Sequence, residues 1–288
     1  MTRRGPGEGG ATRRMTKAER KEDARRERED LQRRIVRRRR HRRLTLGAAL
    51  IAGVAIAVGA LLVNRSGGQP APADLLKVAK SEEKAAGCTA VQTEPPFDPQ
   101  HATGTVPTNP DAQAGIDFDH VPSQYDPTYP KLSDYPSVPP ASGPHAPIPP
   151  GPVPAGVYDS PPDVYRVIHD LEHGAAVVWY SPASASGDVQ KIRDFYDQSA
   201  TEENVGQDRV VVAPYDYPDQ GPAGQLPSGV HMALVAWHRL ETCAQVNLAA
   251  AFDFTSQYSA SRTAAGQVVG GYPGRKYVGD AREAGAVL

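Results

Sequence analysis

Apolar residues follow three rhythms along this chain, and each predicts a different element. Residues 44–63, LTLGAALIAGVAIAVGALLV, are apolar throughout and carry no charge. At about 1.5 Å per residue such a helix spans the roughly 30 Å of a bilayer's hydrocarbon. Val164, Val167, Ile168 and Leu171 repeat at i, i+3, i+4 and i+7, the stripe of a helix with one face on a core. The third rhythm is the short unbroken run: AAVVWY at 175–180, RVVVA at 209–213 and VHMALVAWHRL at 230–240 read as buried strands. Helical spacing returns at 188–199, with Val189, Ile192 and Tyr196 on one side, and at 245–258, with Leu248, Phe252 and Thr255.

The order over 163–258 is helix-strand-helix-strand-strand-helix, an α/β class: a small mixed sheet with helices. The first two strands are expected to be parallel through a crossover helix, and the last two antiparallel through the Gly/Pro loop at 214–229. This order resembles the second half of a thioredoxin-like fold, without the paired active cysteines. Ser160 is the expected N-cap of the first helix, with Pro161 and Pro162 in its first turn and Gly174 as its stop. An earlier amphipathic stretch, 74–86, is stopped by Gly87 and delivers Cys88. From Gly266 onward the Gly/Ala-rich chain predicts a loose tail.

Between these parts lies a coil. Residues 91–162 hold 19 of the 28 prolines, which excludes a long helix or a central strand there. The same stretch contains Phe97, His101, Phe118, His120, Tyr125, Tyr129, Tyr135, His145 and Tyr158, whereas disordered segments are poor in aromatics. An ordered coil wrapped over the α/β core is therefore expected, carrying His120 and the SGPH turn at 142–145 to the polar face of the helix at 164–173.

Charge settles the orientation of the apolar run. Residues 1–43 carry 18 Lys/Arg against 7 Asp/Glu, and the remainder 14 against 26. RIVRRRRHRR directly before residue 44, against a single Arg65 just after the run, places the N-terminus in the cytoplasm by the positive-inside rule. A cleaved signal peptide is the competing reading, but the apolar run exceeds an h-region of about 7 to 15 residues. The expected organisation is a basic cytoplasmic tail (1–43), a single transmembrane helix (44–63), a membrane-proximal spacer and helix (64–90), the proline-rich coil (91–162), the α/β core (163–258) and a flexible tail (259–288). The partners this implies are the lipid bilayer, anionic lipid headgroups at the basic tail and an envelope protein of unknown identity. Nucleic acid is not expected, because no aromatic residue interleaves the arginines. Arg outnumbers Lys 24 to 8, as high-GC bacterial coding produces. Outside the membrane, the two cysteines, Cys88 and Cys243, are expected to form a disulfide.

The residues capable of chemistry gather at one place. On the helix that bears the apolar stripe, Tyr165, His169, Glu172 and His173 share a second, polar face. Two imidazoles four residues apart have Cβ atoms about 5 to 6 Å from each other, close enough to share an ion. A third ligand could come from His120, His145, His101 or His231 with Met232, and the thioether would favour Cu(I) over Zn. His231 and His238 are read on opposite faces of one strand. His169 to His173 also fits the H-x-x-E-H pattern of inverted zinc proteases, but Gly174 ends the helix at once. Three readings follow: a transition-metal (Cu or Zn) binding protein with Glu172, Tyr125 and Tyr165 supporting the ligands; a structural or interaction module of the cell envelope in which the same His-Glu-Tyr network fastens the coil; and, after these, a metal-dependent hydrolase with Glu172 as general base. Binding without turnover is the preferred reading, with no catalytic residue assigned.

The segments His120-Val121, Tyr125, PPASGPH at 139–145, Gly156-Val157-Tyr158 and HDLEHGAAVVWY at 169–180 are similar to the bacterial family catalogued as domain of unknown function 3105, over roughly 88–258. The resemblance implies a membrane-anchored, extracytoplasmic protein and singles out His120, Tyr125, His145, His169, Glu172 and His173. It implies no activity.

Overall fold

The computed structural model describes residues 69–103, 115–124, 126–199, 209–263 and 267–279. Its centre is a mixed sheet of strand order β1-β6-β5-β3-β4-β2. The strands are β1 (Gln92–Thr93), β2 (Gly156–Val157), β3 (Ala176–Tyr180), β4 (Val210–Pro214), β5 (Met232–Ala236) and β6 (Arg239–Cys243). The helices are α1 (Pro72–Ala85), α2 (Val164–Glu172), α3 (Ser186–Ser199) and α4 (Leu248–Tyr258). The α/β class and the mixed sheet are as expected. No helix among the described residues is long and apolar enough to cross a membrane, and the run at 44–63 lies outside them.

Every residue of β3, β4 and β5 is buried, because the sheet is covered on both faces. Alternate side chains go to two cores, as the two-residue period of a strand requires. Val178, Val212 and Leu234 pack with Ile192 of α3 and Phe252 of α4. Val177, Trp179, Val211 and Val235 pack with Val167, Ile168 and Leu171 of α2 and with Phe97, Leu132, Tyr135 and Val153 of the coil. The coil is thus one layer of the molecule. It also supplies both edge strands, β1 on β6 and β2 on β4, where proline-rich chain can add two residues without needing a full ladder.

The structure corrects the expected topology in four places. β3 and β4 are parallel as expected, but β5 lies antiparallel to β3 rather than beside β4, whose other edge is taken by β2. The single long strand read at 230–240 is a hairpin, β5 and β6, turning at Trp237 and His238, with His238 at φ 55°. His231 precedes β5 and His238 sits in the turn, so the two do not share a strand. The N-cap of α2 is Asp163 rather than Ser160; its carboxylate accepts from the Tyr165 N–H at 3.0 Å. The stop is Gly174, at φ 86°, a left-handed conformation that favours glycine.

The tail is docked further than expected. β7 (Ala260–Arg262) pairs with β8 (Val268–Gly270), Tyr272 packs against Phe252, and Arg275 reaches Asp253 at 2.6 Å. Cys88, delivered after α1 and Gly87, forms the expected disulfide with Cys243 of β6.

Candidate metal centre

α2 carries His169 and Glu172, its C-cap is His173, and the helix also holds the coil that brings the others. Arg166 donates to the carbonyls of Gly151 and Pro152, each at 2.8 Å. Asp170 accepts from the Val153 N–H at 3.2 Å, and the Ala146 N–H donates to the Tyr165 carbonyl at 3.0 Å. The His145 N–H then donates to the Asp119 carbonyl at 2.9 Å, and the Val121 N–H to the His145 carbonyl at 2.7 Å. This short parallel bridge aligns His120 with His145. The SGPH turn is fastened from below by Glu94, whose carboxylate accepts from Ser142 Oγ at 2.8 Å and the Ala141 N–H at 3.1 Å. Gly143 sits at φ 116°, where a Cβ would come within 2.7 Å of the Tyr135 ring.

The four imidazoles converge. Ring centroids lie 4.7 Å apart for His120 and His145, 5.0 Å for His120 and His169, 5.1 Å for His145 and His169, and 4.9 Å for His169 and His173. Two overlapping sets, His120-His145-His169 and His169-Glu172-His173, each keep their donor atoms within 4.8 Å of one another and could hold a metal ion. A third set, Cys88-Glu241-Cys243, has its sulfurs joined in the disulfide and offers no thiolate.

The ring nitrogens divide their work. His145 Nδ1 lies 2.8 Å from the Gly143 carbonyl and His169 Nδ1 2.5 Å from the Ala146 carbonyl. A carbonyl only accepts, so both Nδ1 atoms carry the proton. On His169, whose ring is held neutral, Nε2 is then a lone pair, whereas His145 Nε2 can donate to a carboxylate only when it too carries a proton. His169 Nε2 faces His173 Nε2 at 3.1 Å, and His145 Nε2 faces Glu172 Oε2 at 3.0 Å. Two donors on one ion, with bonds of about 2.0 to 2.1 Å at a tetrahedral angle, stand about 3.3 Å apart. Glu172 also approaches His120 Nε2 at 3.8 Å. It therefore lies against the nitrogens that would bind an ion, rather than behind them on Nδ1 as a supporting group.

Electrostatics favours neutral rings at His169 and His120 and an ionised Glu172. Burial pushes His169 down to about 4, against the bond to Ala146, and the neighbouring imidazoles push the same way. Burial and His145 lower His120 as well. For Glu172 burial alone would raise the carboxyl, but the bond from His145 and the charges of His145, His120 and His173 bring it below its ordinary value. A neutral imidazole, as at His169, and an ionised carboxylate, as at Glu172, are the forms that bind metal; an entering ion would displace the proton that joins His145 to Glu172.

Of the other expected residues, Tyr165 does not support the ligands through its hydroxyl, which donates to the Pro130 carbonyl at 2.7 Å while the ring stacks on Tyr129. Tyr125 lies outside the described residues. His101 is exposed and paired with Asp98. Ser184 Oγ donates to the His231 carbonyl at 3.0 Å, and Met232 faces the opposite core. The site thus draws no sulfur from Met232, and the argument for Cu(I) from a thioether falls. Sequence reasoning missed Asp119, Glu94 and Trp237. Asp119 is buried beside His120, with Oδ1 lacking a hydrogen-bond partner among the described residues, and burial pushes its carboxyl up to about 6. Trp237 presents its ring to His145 at 5.9 Å. No motif marks these three, since each acts through a turn or bridge made with distant chain.

No curated protein and no solved structure matches the chain. A family model, described as protein of unknown function (DUF3105), matches residues 130–269. That span holds His145, His169, Glu172 and His173, while His120 and Cys88 precede it. By this match, together with the motifs at 139–145 and 169–180, residues 130–269 belong to the DUF3105 family.

Proposed function

We propose that this is a single-pass, membrane-anchored protein whose outward-facing α/β domain binds a transition metal, Zn or Cu(II), through His120, His145, His169 and His173 with Glu172. The observation that carries the reading is the division of the ring nitrogens. His145 and His169 each fix Nδ1 on a backbone carbonyl, the arrangement that orients metal-ligating histidines, and turn Nε2 toward another donor. The all-nitrogen and oxygen donor set suits Zn and Cu(II). The apolar run at 44–63 with its arginine-rich flank supports the anchor, and the Cys88–Cys243 disulfide supports an oxidising, extracytoplasmic compartment. The basic tail would then lie against anionic lipid on the cytoplasmic face.

A second reading, a structural or interaction module of the envelope, is favoured by one observation: the same Nδ1 bonds join helix and turn. Yet main-chain bonds through Asp119, Val121, His145, Ala146 and Tyr165 already fasten the coil, so the convergence of the Nε2 atoms is more than that fastening requires. Hydrolysis would need Glu172 free to take a proton from water, whereas it is engaged with His145.

The test is elemental analysis and metal titration of the full chain, purified in detergent without a metal-binding tag, beside His169→Ala and His173→Ala. One Zn or Cu per chain in the parent, lost in both variants while the metal-free forms melt close to the metal-free parent, is the expected result. No metal at micromolar free concentration, with both variants strongly destabilised, overturns it in favour of the structural reading.

A further inference from the structure

The five donors are not equally held. His145 is 0% exposed, and its ring nitrogens face Gly143 and Glu172. His169 is 0% exposed and fixed on Ala146 and His173. The His120 side chain is 42% exposed. Among the described residues no hydrogen bond orients its ring, which meets its neighbours through the 3.8 Å approach to Glu172, an edge contact with His145 and a tilted contact with His169. Its backbone neighbour is nonetheless anchored, by the Val121 N–H on the His145 carbonyl. The ring can therefore turn about its own side-chain bonds without releasing the coil.

Resting on the metal reading above, we propose that His120 is the exchangeable ligand of the site, and that its position is a port admitting a monodentate, imidazole-type nitrogen donor from outside. The buried donors His145, His169 and Glu172 have the opposite character. Ligand exchange at a bound ion needs an incoming donor to reach it as an outgoing one leaves, and only a solvent-facing ligand position permits both. A ring removed at 120 leaves an opening to water, and imidazole has the size and donor atom of what was lost. A ring removed at 169 leaves a space enclosed by α2 and the coil, which a free imidazole cannot enter without opening the fold.

The experiment uses the full chain loaded with Co(II), whose visible spectrum reports coordination number and donor type. The parent is compared with His120→Gly and His169→Gly, with imidazole as the probe, and thermal melts of the metal-free forms check folding. His120→Gly is expected to retain one Co(II), with affinity about 10- to 100-fold weaker, comparable to loss of a supporting group. Millimolar imidazole restores its spectrum and slows metal loss to EDTA, whereas His169→Gly is not restored. His120→Gln is the second variant, should the glycine form fold poorly; its amide is a weak ligand, so metal loss to EDTA speeds up without loss of stoichiometry. The proposal is overturned if His120→Gly and His120→Gln bind no metal while the parent does, or if imidazole restores both glycine variants alike or neither. A parent that takes up no Co(II), Zn or Cu sinks the metal reading itself, a result distinct from failure of the port alone.

Discussion

The α/β core and the proline-rich coil face each other across the same histidines, and they satisfy their buried backbone by opposite means. β3 is paired along its whole length to β4 on one side and β5 on the other, so its amides are satisfied by ladders and its side chains are free to be apolar. The coil joins a ladder only at the two-residue strands β1 and β2 among the described residues. Its N–H groups turn instead to carboxylates: Glu94 takes Ala141, Asp117 takes Phe97 at 2.7 Å, and Asp134 takes Thr103 at 2.7 Å and Lys131 at 3.0 Å. Glu94, Asp117 and Asp134 are buried in consequence. An ordered coil thus requires acids inside the protein, and these have pH-dependent energies that a ladder lacks.

That contrast can be broken at several points. The largest expected effect is loss of the Cys88–Cys243 disulfide, which ties the chain leading into the coil to the end of β6. On the chain-entropy estimate its 155-residue separation corresponds to at most about 4 to 5 kcal/mol, read by urea unfolding with and without reductant. Next is Leu234→Ala in β5, a side chain with 0% exposure, expected to cost about 3 to 5 kcal/mol. Hydrogen exchange should then show lost protection in every strand. Gly143→Ala is expected to cost less, about 1 to 3 kcal/mol, because its Cβ would press on Tyr135 at 2.7 Å. It should weaken metal binding and unprotect the coil while the slowest amides of β3 to β5 hold. Equal loss in the strands would mean that coil and core are one cooperative unit and that the contrast is not energetic.

The smallest effect is the most specific. Burial pushes the Glu94 carboxyl up to about 7, outweighing the bonds from Ser137, Ala141 and Ser142. The folded state therefore binds this proton more tightly than the unfolded chain. The stabilising contribution is whole below the unfolded value near 4.5 and is lost as pH rises through about 7. Glu94→Gln cannot ionise, so the stability of the variant relative to the parent should rise between pH 5 and 8 and then level off, measured by urea unfolding at each pH. A difference that stays flat would show that Glu94 is already ionised in the fold. Glu172 has the opposite sign: its lowered carboxyl contributes above about 4.5, and that contribution is lost in acid.

How much was legible in the sequence also divides along this line. The stripe Val164-Val167-Ile168-Leu171 and the runs of β3 and β4 announce themselves because each element's burial is local and periodic. The hairpin at Trp237-His238 does not. Two-residue turns advertise themselves with glycine or asparagine, whereas here His238 at φ 55° is held by tertiary bonds, its N–H on the Ala141 carbonyl at 2.9 Å and its Nδ1 against the Glu94 carbonyl at 3.2 Å. The placement of β5 beside β3 was hidden for a similar reason, since β2, arriving from the coil, takes the free edge of β4.

By itself the sequence determined that one helix face would carry His169, Glu172 and His173, that an apolar stripe would seat that helix on a sheet, and which two cysteines were available to pair. Helical spacing and strand alternation are properties of a few consecutive residues, so they need no knowledge of the rest of the chain. Only the tertiary structure decided that His145 and His120 complete the cluster while His101, His231 and Met232 stay out of it, and that Glu172 faces the Nε2 atoms. Those outcomes rest on bonds such as His169 to Ala146, 23 residues apart, and His145 to Glu172, 27 apart. A coil without a repeating hydrogen-bond pattern takes its path from such contacts one at a time, and no local rhythm encodes them.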